Sequence, residues 1–153
     1  MLENEFMGNK KSIKITPRVK RAVFGLVKSA VEYEKVTGRN PGITGEVGEV
    51  LVSGKLNLFL LSDRINAGFD AVSKNGKKYQ IKTRRISDGK IKGRLGVVSR
   101  HRYNLAVLAI LNEQYKLLEM GSMTYKKLSR LAKKHKRRNP TVREFIKNAK
   151  VVR

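Results

Sequence analysis

The chain has 153 residues, of which 40% are hydrophobic, and its 35 Lys and Arg against 12 Asp and Glu give a formal net charge of +23. A chain of this length holds one core, so we expect a single domain over residues 1–153. The sequence contains no cysteine, which excludes disulfides and thiolate ligation. The expected metal is therefore a hard cation bound by oxygen atoms, Mg²⁺ or Mn²⁺.

Neither a membrane span nor a secretion signal is expected. No apolar run approaches the about 18 residues that a span needs, and the N-terminal sequence MLENEFMGNKK lacks the apolar segment of a signal peptide. We therefore expect a cytoplasmic protein that does not bind membranes.

The net charge of +23 predicts a polyanionic partner. A positive field of this size attracts polyanions before any specific contact forms. Nucleic acid is the first candidate, although a ribosome-associated role or an anionic membrane surface would account for the same charge.

The first helix is expected after a polar, basic segment of residues 1–15, which we expect to form a flexible N-terminal arm. Thr16 and Pro17 are residue types that favour the N-cap and the first helical position. The helix is expected to end near Thr37-Gly38. Its predicted apolar stripe consists of Val19, Val23, Leu26, Ala30 and Tyr33.

A second helix is predicted after the turn at Asn40-Pro41-Gly42. Thr44 is a suitable N-cap for it. The side chains expected on its buried face are Val47, Val50 and Leu51.

The pattern then changes to short β-prone runs separated by turns. The predicted strands are Leu58–Leu61, Phe69–Ser73, Lys78–Thr83, Tyr103–Leu111 and Tyr115–Met120. They predict a mixed or antiparallel sheet. The basic stretch from Arg84 to Arg102 has no helical stripe and predicts a long mobile loop.

The C-terminal residues 124–153 return to a helical pattern and are strongly basic. The stripe of one predicted helix consists of Tyr125, Leu128, Leu131 and Ala132. A second helix is expected to begin at Asn139-Pro140, and its stripe consists of Val142, Phe145, Ile146 and Ala149. The expected fold class is α+β, with a mixed central β-sheet flanked by helices.

A β-hairpin is predicted around Asn75-Gly76, and its loop length decides which side chains share a face. A two-residue loop would pair Ala71 with Gln80. A three-residue loop, with Gly76 in the left-handed conformation, would pair Asp70 with Gln80. We favour the second register because it groups Phe69, Ala71, Tyr79 and Ile81 on one apolar face and Asp70, Gln80 and Lys82 on the other.

Asp70, Gln80 and Lys82 together form a plausible centre for phosphodiester hydrolysis. A carboxylate can hold Mg²⁺, the metal can acidify a bound water, and the lysine can orient that nucleophile. In the simpler alternative, Asp70 caps the turn at Gly68 and the other two side chains belong to a solvated strand face.

The pairing of Asp70 with Gln80-Ile81-Lys82 resembles the motif of the PD-(D/E)XK, or restriction-endonuclease-like, nuclease superfamily. In that motif an Asp on one strand precedes a (D/E)-x-K sequence on the next. Gln80 stands at the second acidic position, as it does in modification-dependent restriction nucleases of the Mrr type. The resemblance covers roughly residues 44–120 and implies a restriction-endonuclease-like core.

The resemblance also implies a glutamate on the helix before the sheet. Glu46 and Glu49 are the two candidates, and we prefer Glu46 as a metal ligand. Asp70 would hold the metal with it, Gln80 would assist through its side-chain oxygen, and Ile81 would contribute its backbone carbonyl. Glu46 is also expected in a first helical turn for the helix dipole alone, and Glu49 can be a solvent-facing residue.

Two basic groups are expected to contact phosphates of the nucleic-acid backbone, although charged helix faces are commonly just solvated. The group that follows the hairpin comprises Arg84, Arg85, Lys90, Lys92, Arg94, Arg100 and Arg102. The C-terminal group comprises Lys126, Lys127, Arg130, Lys133, Lys134, Arg137 and Arg138.

From these patterns we expect a Mg²⁺-dependent DNA endonuclease that acts on duplex or branched DNA. The resemblance implies products with 5′-phosphate and 3′-hydroxyl ends. Because two strands must be cut with one site per chain, we expect a homodimer or a higher homo-oligomer. The alternatives are a non-catalytic nucleic-acid-binding protein with the same fold and an RNA-structural or ribosomal protein.

Overall fold

The computed structural model describes residues 12–63 and 68–153. Within these ranges the chain forms four helices and seven strands. In chain order they are β1 Ser12–Lys14, α1 Pro17–Thr37, α2 Thr44–Leu56, β2 Phe59–Leu61, β3 Ala71–Val72, β4 Lys78–Arg85, β5 Leu105–Leu111, β6 Leu117–Thr124, α3 Tyr125–Lys133, α4 Val142–Asn148 and β7 Lys150–Val152. The arrangement is a mixed α/β fold, compatible with the expected α+β class.

One seven-stranded sheet follows the order of the chain, from β1 to β7. Neighbouring strands are antiparallel except for β4 and β5, which are parallel, so the sheet is mixed. The two outermost strands were not expected from the sequence. The predicted N-terminal arm is wrong for residues 12–14, which form β1, and its first eleven residues lie outside the described ranges.

Strand β5 lies at the centre of two apolar layers. Six of its seven residues are buried. Ala106, Leu108 and Ile110 pack on one face of the sheet, and Val107 and Ala109 pack on the other. A strand that is covered on both faces has a continuous apolar sequence, which explains the run LAVLAIL.

Helix α1 begins and ends where the sequence predicts. The Thr16 hydroxyl accepts a hydrogen bond from the Val19 N–H, and Gly38 ends the helix with φ 70°. The predicted stripe is partly wrong, since Leu26 and Tyr33 are 41% and 44% exposed. The residues that replace them against the core are Val27 and Val31.

Helix α2 is buried on more than one side. Val47, Gly48, Val50 and Val52 are all withdrawn from solvent. Thr44 is the first residue of the helix and not its N-cap as predicted, because Ile43 is the N-cap and forms no side-chain capping bond.

The C-terminal helices cover the opposite face of the sheet. Leu128, Leu131 and Ala132 of α3 are buried as predicted. Helix α4 does not begin at Asn139-Pro140. Its N-cap is Thr141, whose hydroxyl accepts from the N–H of Glu144 while the Glu144 carboxylate accepts from the N–H of Thr141. This reciprocal capping box sets the start of the helix.

The connection between β4 and β5 is irregular, as expected, but it is anchored to the core. Leu95 and Val98 are 4% and 1% exposed. The backbone N–H groups of the same two residues donate to the carbonyls of Pro140 and Arg138. The prediction of a mobile loop is therefore wrong for this part of the segment, because its apolar side chains complete the core beside α3 and α4.

None of the helices in the described ranges combines the length and the apolar character that a membrane span needs.

Candidate functional site

The hairpin between β3 and β4 has the three-residue loop that places Asp70 beside Gln80. Ala71 pairs with Tyr79 and Val72 pairs with Lys78. The Ser73 N–H donates to the Lys77 carbonyl at 2.9 Å, and Gly76 has φ 85°. The predicted register is confirmed.

One member of the predicted apolar face lies elsewhere. Ala71, Tyr79 and Ile81 pack in the core layer beneath α2. Phe69 instead packs in the layer beneath α3 and α4, and the Lys78 ammonium lies 5.0 Å from its ring centroid. The alternation of faces holds only within the paired residues, and Phe69 precedes β3.

Asp70 is held by its neighbours on both sides. Its N–H donates to the Tyr79 carbonyl at 2.8 Å, and its carbonyl accepts from the Leu61 N–H at 2.9 Å. Its Oδ2 atom accepts from the Ile81 N–H at 2.7 Å. In a continuous sheet, the Ile81 N–H would donate to a backbone carbonyl of the neighbouring strand. Here the Asp70 carboxylate accepts that hydrogen bond instead.

Gln80 contacts the same carboxylate oxygen. Its Nε2 atom donates to Asp70 Oδ2 at 2.7 Å. With the amide in this orientation, its nitrogen faces the carboxylate and its oxygen points elsewhere. The structure therefore brings Gln80 to Asp70 as a hydrogen-bond donor.

Burial and neighbouring groups have opposite effects on the pKa of the Asp70 carboxyl group. Withdrawal from solvent raises the pKa of its carboxyl group. The Ile81 N–H, the positive charge of Lys82 and the Gln80 amide act in the opposite direction because each stabilises the anion.

Lys82 shares this environment. Burial lowers the pKa of its ammonium group, and the positive charge of Arg84 adds to that effect. The negative charge of Asp70 acts against it. Asp70, immediately before β3, and Lys82 on β4 therefore form an electrostatically coupled pair.

The two glutamates of α2 lie on the opposite face of the sheet from the side chains of Gln80 and Lys82. Gln80 and Lys82 are in register with Ala106 and Leu108, whose side chains pack on the α3 and α4 face. Glu46 and Glu49 belong to α2 on the opposite face. Both are partly buried, and the Oε2 atom of Glu46 is shielded from solvent.

The described residues do not assemble a cluster of acids. Within residues 12–63 and 68–153, no three His, Cys, Asp or Glu side chains lie together where they could hold a metal ion. The sheet is nevertheless open beside Asp70, since in the described residues the pairing of β3 with β4 covers only Lys78 and Tyr79, while β4 continues to Arg85. The carboxylate lies where these two strands part.

Arg85, a member of the predicted phosphate-binding group, makes its contacts inside the fold. Its guanidinium donates to both carboxylate oxygens of Glu34, at 2.7 and 3.1 Å. It also donates to the Glu113 carbonyl and lies 4.2 Å from the ring centroid of Tyr115. The hydrogen bond from Arg85 lowers the pKa of Glu34.

The other basic residues that follow β4 line a small surface cavity of about 270 Å³. Arg84, Lys90, Lys92 and Arg94 are among its walls. Arg84 Nη2 contacts the Arg94 carbonyl. Arg94 Nη1 lies 3.2 Å from His135 Nδ1 and donates to the Asn139 carbonyl at 3.0 Å. Arg84 and Arg94 are thus partly committed to the fold, whereas Lys90 and Lys92 are exposed.

A second cavity, of about 610 Å³, joins basic residues that are distant in the sequence. We call it the C-terminal basic pocket. Its cationic walls are Arg100, Arg102, Lys126, Arg130, Lys133 and Arg138. The remaining residues that line it are Tyr103, Tyr125 and Ser129. Lys127, Lys134 and Arg137 of the predicted group do not line this pocket, although they are exposed.

The sequence did not identify Tyr103, Tyr125 and Ser129 as functional candidates. Tyr103 fits a predicted strand and Tyr125 fits a predicted helix stripe, so packing in the core was enough to explain both residues. Their position beside Arg102 and Lys126 was the available signal, because aromatic residues among cations are typical of nucleic-acid surfaces.

The chain matches no protein-family model and no curated protein sequence. The functional argument therefore depends on the residues and their geometry.

Proposed function

We propose that the protein is a metal-dependent DNA endonuclease with a restriction-endonuclease-like core. The observation that carries this proposal is the convergence of Gln80, Ile81 and Lys82 on the single carboxylate of Asp70. The carboxylate lies at the point where β3 and β4 part, so a phosphodiester could reach it from the side of the sheet.

The available donor atoms suit a hard divalent cation. Asp70 offers carboxylate oxygens, Ile81 offers a carbonyl, and Gln80 offers an amide oxygen if its side chain turns over. Glu46 belongs to α2 on the opposite face of the sheet and would have to reach the cation around the open edge beside Asp70. Oxygen donors of this kind are those that Mg²⁺ and Mn²⁺ prefer. A bound cation would supply Lewis-acid activation of water and neutralise charge on the phosphate.

The protein's own groups would prepare the attack. Gln80 and the Ile81 N–H orient the Asp70 carboxylate and favour its ionised form. Lys82 holds a positive charge beside it and, because burial lowers the pKa of its ammonium group, releases a proton more readily than an exposed lysine. The ammonium form would orient the attacking water, and only the neutral amine left after that proton is released would accept a proton from the water.

DNA is the proposed substrate because the chain has a net charge of +23 and two basic cavities. Contacts from such surfaces go mainly to the phosphate backbone and position the nucleic acid without selecting a sequence. A homodimer would supply a second site for the second strand of a duplex.

Plasmid cleavage tests the proposal. The purified protein should nick or linearise DNA with Mg²⁺ or Mn²⁺, and EDTA should stop the reaction. Lys82→Ala and Asp70→Ala should each lower the rate at least about 100-fold, as expected for loss of a group that stabilises charge in the transition state. Lys77→Ala, which removes an exposed lysine from the same hairpin, is the matched control and should cleave normally.

A second function, nucleic-acid binding without cleavage, is favoured by the contact between Gln80 Nε2 and Asp70 Oδ2. This contact occupies the carboxylate with a donor where the superfamily motif has a second acid. The wild type and Gln80→Glu are therefore compared for DNA binding and for DNA cleavage, each with and without the metal. If the wild type binds DNA without cutting it under any metal condition, the enzyme proposal is wrong and the binding function takes its place. Metal-dependent cutting by the wild type excludes the binding function, and Gln80→Glu should then bind the metal more tightly.

A further inference from the structure

Two residues that line the C-terminal basic pocket carry buried hydroxyl groups that the fold does not use. Among the described residues, neither the Tyr103 hydroxyl nor the Ser129 hydroxyl has a hydrogen-bond partner, and both oxygens are buried. Tyr103 itself is only 6% exposed. Buried polar groups are nearly always hydrogen-bonded in folded proteins, and these two hydroxyls, both on residues that line the same pocket, lack an acceptor among the described residues.

The charge around these hydroxyls specifies the acceptor. Six cations line the pocket, and no acidic side chain is among its described walls. The positive charge of Arg138, which also lines the pocket, acts to lower the pKa of the Tyr103 hydroxyl. Burial nevertheless raises the pKa of Tyr103 to about 12, so the phenol keeps its proton and can donate it to an anion.

The walls of the pocket are held in place by the fold. The Arg138 backbone has φ 50°, and its carbonyl accepts from the Val98 N–H at 2.9 Å. The Tyr125 hydroxyl donates to the Arg100 carbonyl at 3.0 Å. The rings of Tyr103 and Tyr125 meet edge to face with centroids 5.1 Å apart. The backbone at Arg138 and the two tyrosine rings are therefore fixed by the fold, and binding requires only that the covered hydroxyls and the long cationic side chains turn toward the ligand.

The pocket adjoins the strand that carries the candidate active site. Asn104, next to Tyr103, accepts from the Lys78 N–H through its Oδ1 atom and donates its own N–H to the Lys78 carbonyl. Lys78 is two residues before Gln80 on β4, a separation of about 7 Å along a strand. A nucleic-acid strand held in the pocket could therefore continue to Asp70.

We propose that the C-terminal basic pocket binds a phosphate group of nucleic acid, with the Tyr103 and Ser129 hydroxyls donating to its oxygens, at a site separate from Asp70. Hydroxyl and cationic donors together are the groups that bind phosphate oxygens in proteins. The volume of about 610 Å³ accommodates a nucleotide, since small-molecule sites commonly occupy about 300–1,000 Å³. The inference rests on nucleic acid as the partner, which belongs to the proposed function, but it does not depend on cleavage.

Direct binding in EDTA tests the pocket separately from catalysis. Fluorescence anisotropy would measure the affinity of labelled single-stranded oligonucleotides with a 5′-phosphate or a 5′-hydroxyl, and inorganic phosphate would be the competitor. Tyr103→Phe should weaken binding about tenfold, the effect of losing one hydrogen bond to a charged acceptor. Tyr115→Phe, which removes a buried phenol outside the pocket, should leave the affinity unchanged.

The comparison of oligonucleotides identifies the source of the phosphate. A loss confined to the 5′-phosphorylated oligonucleotide assigns the pocket to a terminal phosphate. An equal loss for both oligonucleotides assigns it to an internal phosphodiester. Equal affinities of Tyr103→Phe, Tyr115→Phe and wild type would overturn the proposal.

A charge-matched pair of variants separates a built pocket from general attraction. Arg130→Gln with Lys133→Gln removes two charges from the pocket, whereas Arg18→Gln with Lys28→Gln removes two exposed charges from α1. The first double variant should bind at least about tenfold more weakly than the second. Equal losses would show that only net charge matters and would also overturn the proposal. Tyr103→Phe should melt no lower than wild type, because the hydroxyl it removes has no partner in the described fold.

Discussion

The backbone N–H of Ile81 donates a hydrogen bond to the Oδ2 atom of Asp70 at 2.7 Å, two residues beyond the last residue of β4 that pairs with β3. This bond places a carboxylate inside the edge of the sheet, where it completes the backbone pairing of β4. The same oxygen accepts from Gln80. Asp70 therefore has a structural role as well as the proposed catalytic one, and variants at this position require measurements of both.

The pKa of Asp70 should depend on Lys82. The positive charge of Lys82 lowers the pKa of the buried carboxyl group, so Lys82→Ala should raise that pKa above its wild-type value. Carboxyl carbon chemical shifts, followed by NMR as a function of pH, give the titration directly. Lys77→Ala removes an exposed charge from the same hairpin and should leave it unchanged. An unchanged pKa in Lys82→Ala would show that the two groups are not coupled.

The pH dependence of stability should change in Asp70→Asn. Burial raises the pKa of Asp70 above its ordinary value of 3.8, so the native state binds more protons than the unfolded chain between the two pKa values. The stabilising contribution of this group is complete below pH 3.8 and is lost as the pH rises through the native pKa. Asparagine does not titrate, so the stability of the variant relative to wild type should increase across that window and then become constant.

Denaturant unfolding of both proteins at a series of pH values measures this difference. A pH-independent difference that remains on both sides of the window reports the altered hydrogen bonds of the asparagine, and the prediction concerns the change across the window. A relative stability that stays flat through the window, or that falls with rising pH, would contradict the raised pKa.

Gly48 should not tolerate a side chain. A Cβ atom at this position would lie 1.8 Å from the Oγ1 atom of Thr83 on β4, so α2 would have to move away from the sheet. Overpacking of this kind costs about 1–3 kcal/mol, and Gly48→Ala should lower the free energy of unfolding by that amount in a urea titration. Gly45→Ala is the control, because nothing lies within 4 Å of a Cβ there. Equal stabilities of the two variants would contradict the close approach of α2 to β4.

Arg85→Ala should destabilise the fold without a specific loss of DNA affinity. The variant loses the ion pair to Glu34, the hydrogen bonds to the Glu113 carbonyl and the contact with the Tyr115 ring. Thermal unfolding should show a melting temperature several degrees lower. Arg39→Ala removes an exposed charge and should weaken DNA binding equally while melting like wild type. A larger loss of DNA affinity in Arg85→Ala would restore this arginine to the phosphate-binding group.

Local sequence patterns were sufficient for several elements. The Thr16 N-cap and Gly38 end of α1 were predicted because capping depends on the side chain and backbone of the residue itself. The hairpin register was predicted because a shift by one residue would have turned the apolar side chains of Ala71 and Ile81 to the opposite face. These signals require no knowledge of distant parts of the chain.

Other elements depended on partners that the local pattern does not reveal. The edge strands β1 and β7 are short, and their pairing with β2 and β6 identifies them as strands. The buried face of α1 is rotated toward Val27 and Val31 because the layer formed with α2 and β5 determines which side is covered. The capping box of α4 was missed although Thr141 and Glu144 have the required spacing.

The sequence by itself determined the net charge, the residue types available for chemistry and the adjacency of Asp70 to Gln80 and Lys82, since these follow from composition and from the two-residue period of a hairpin. The tertiary structure alone decided how the basic residues are used, because their roles depend on neighbours far away in the chain. Arg85 forms an ion pair with Glu34 of α1 and so stabilises the fold. Arg100 and Arg130, 30 positions apart in the sequence, line the same pocket. That pocket, with the buried hydroxyls of its lining residues, exists only in the folded chain, where the segment before β5 lies beside α3.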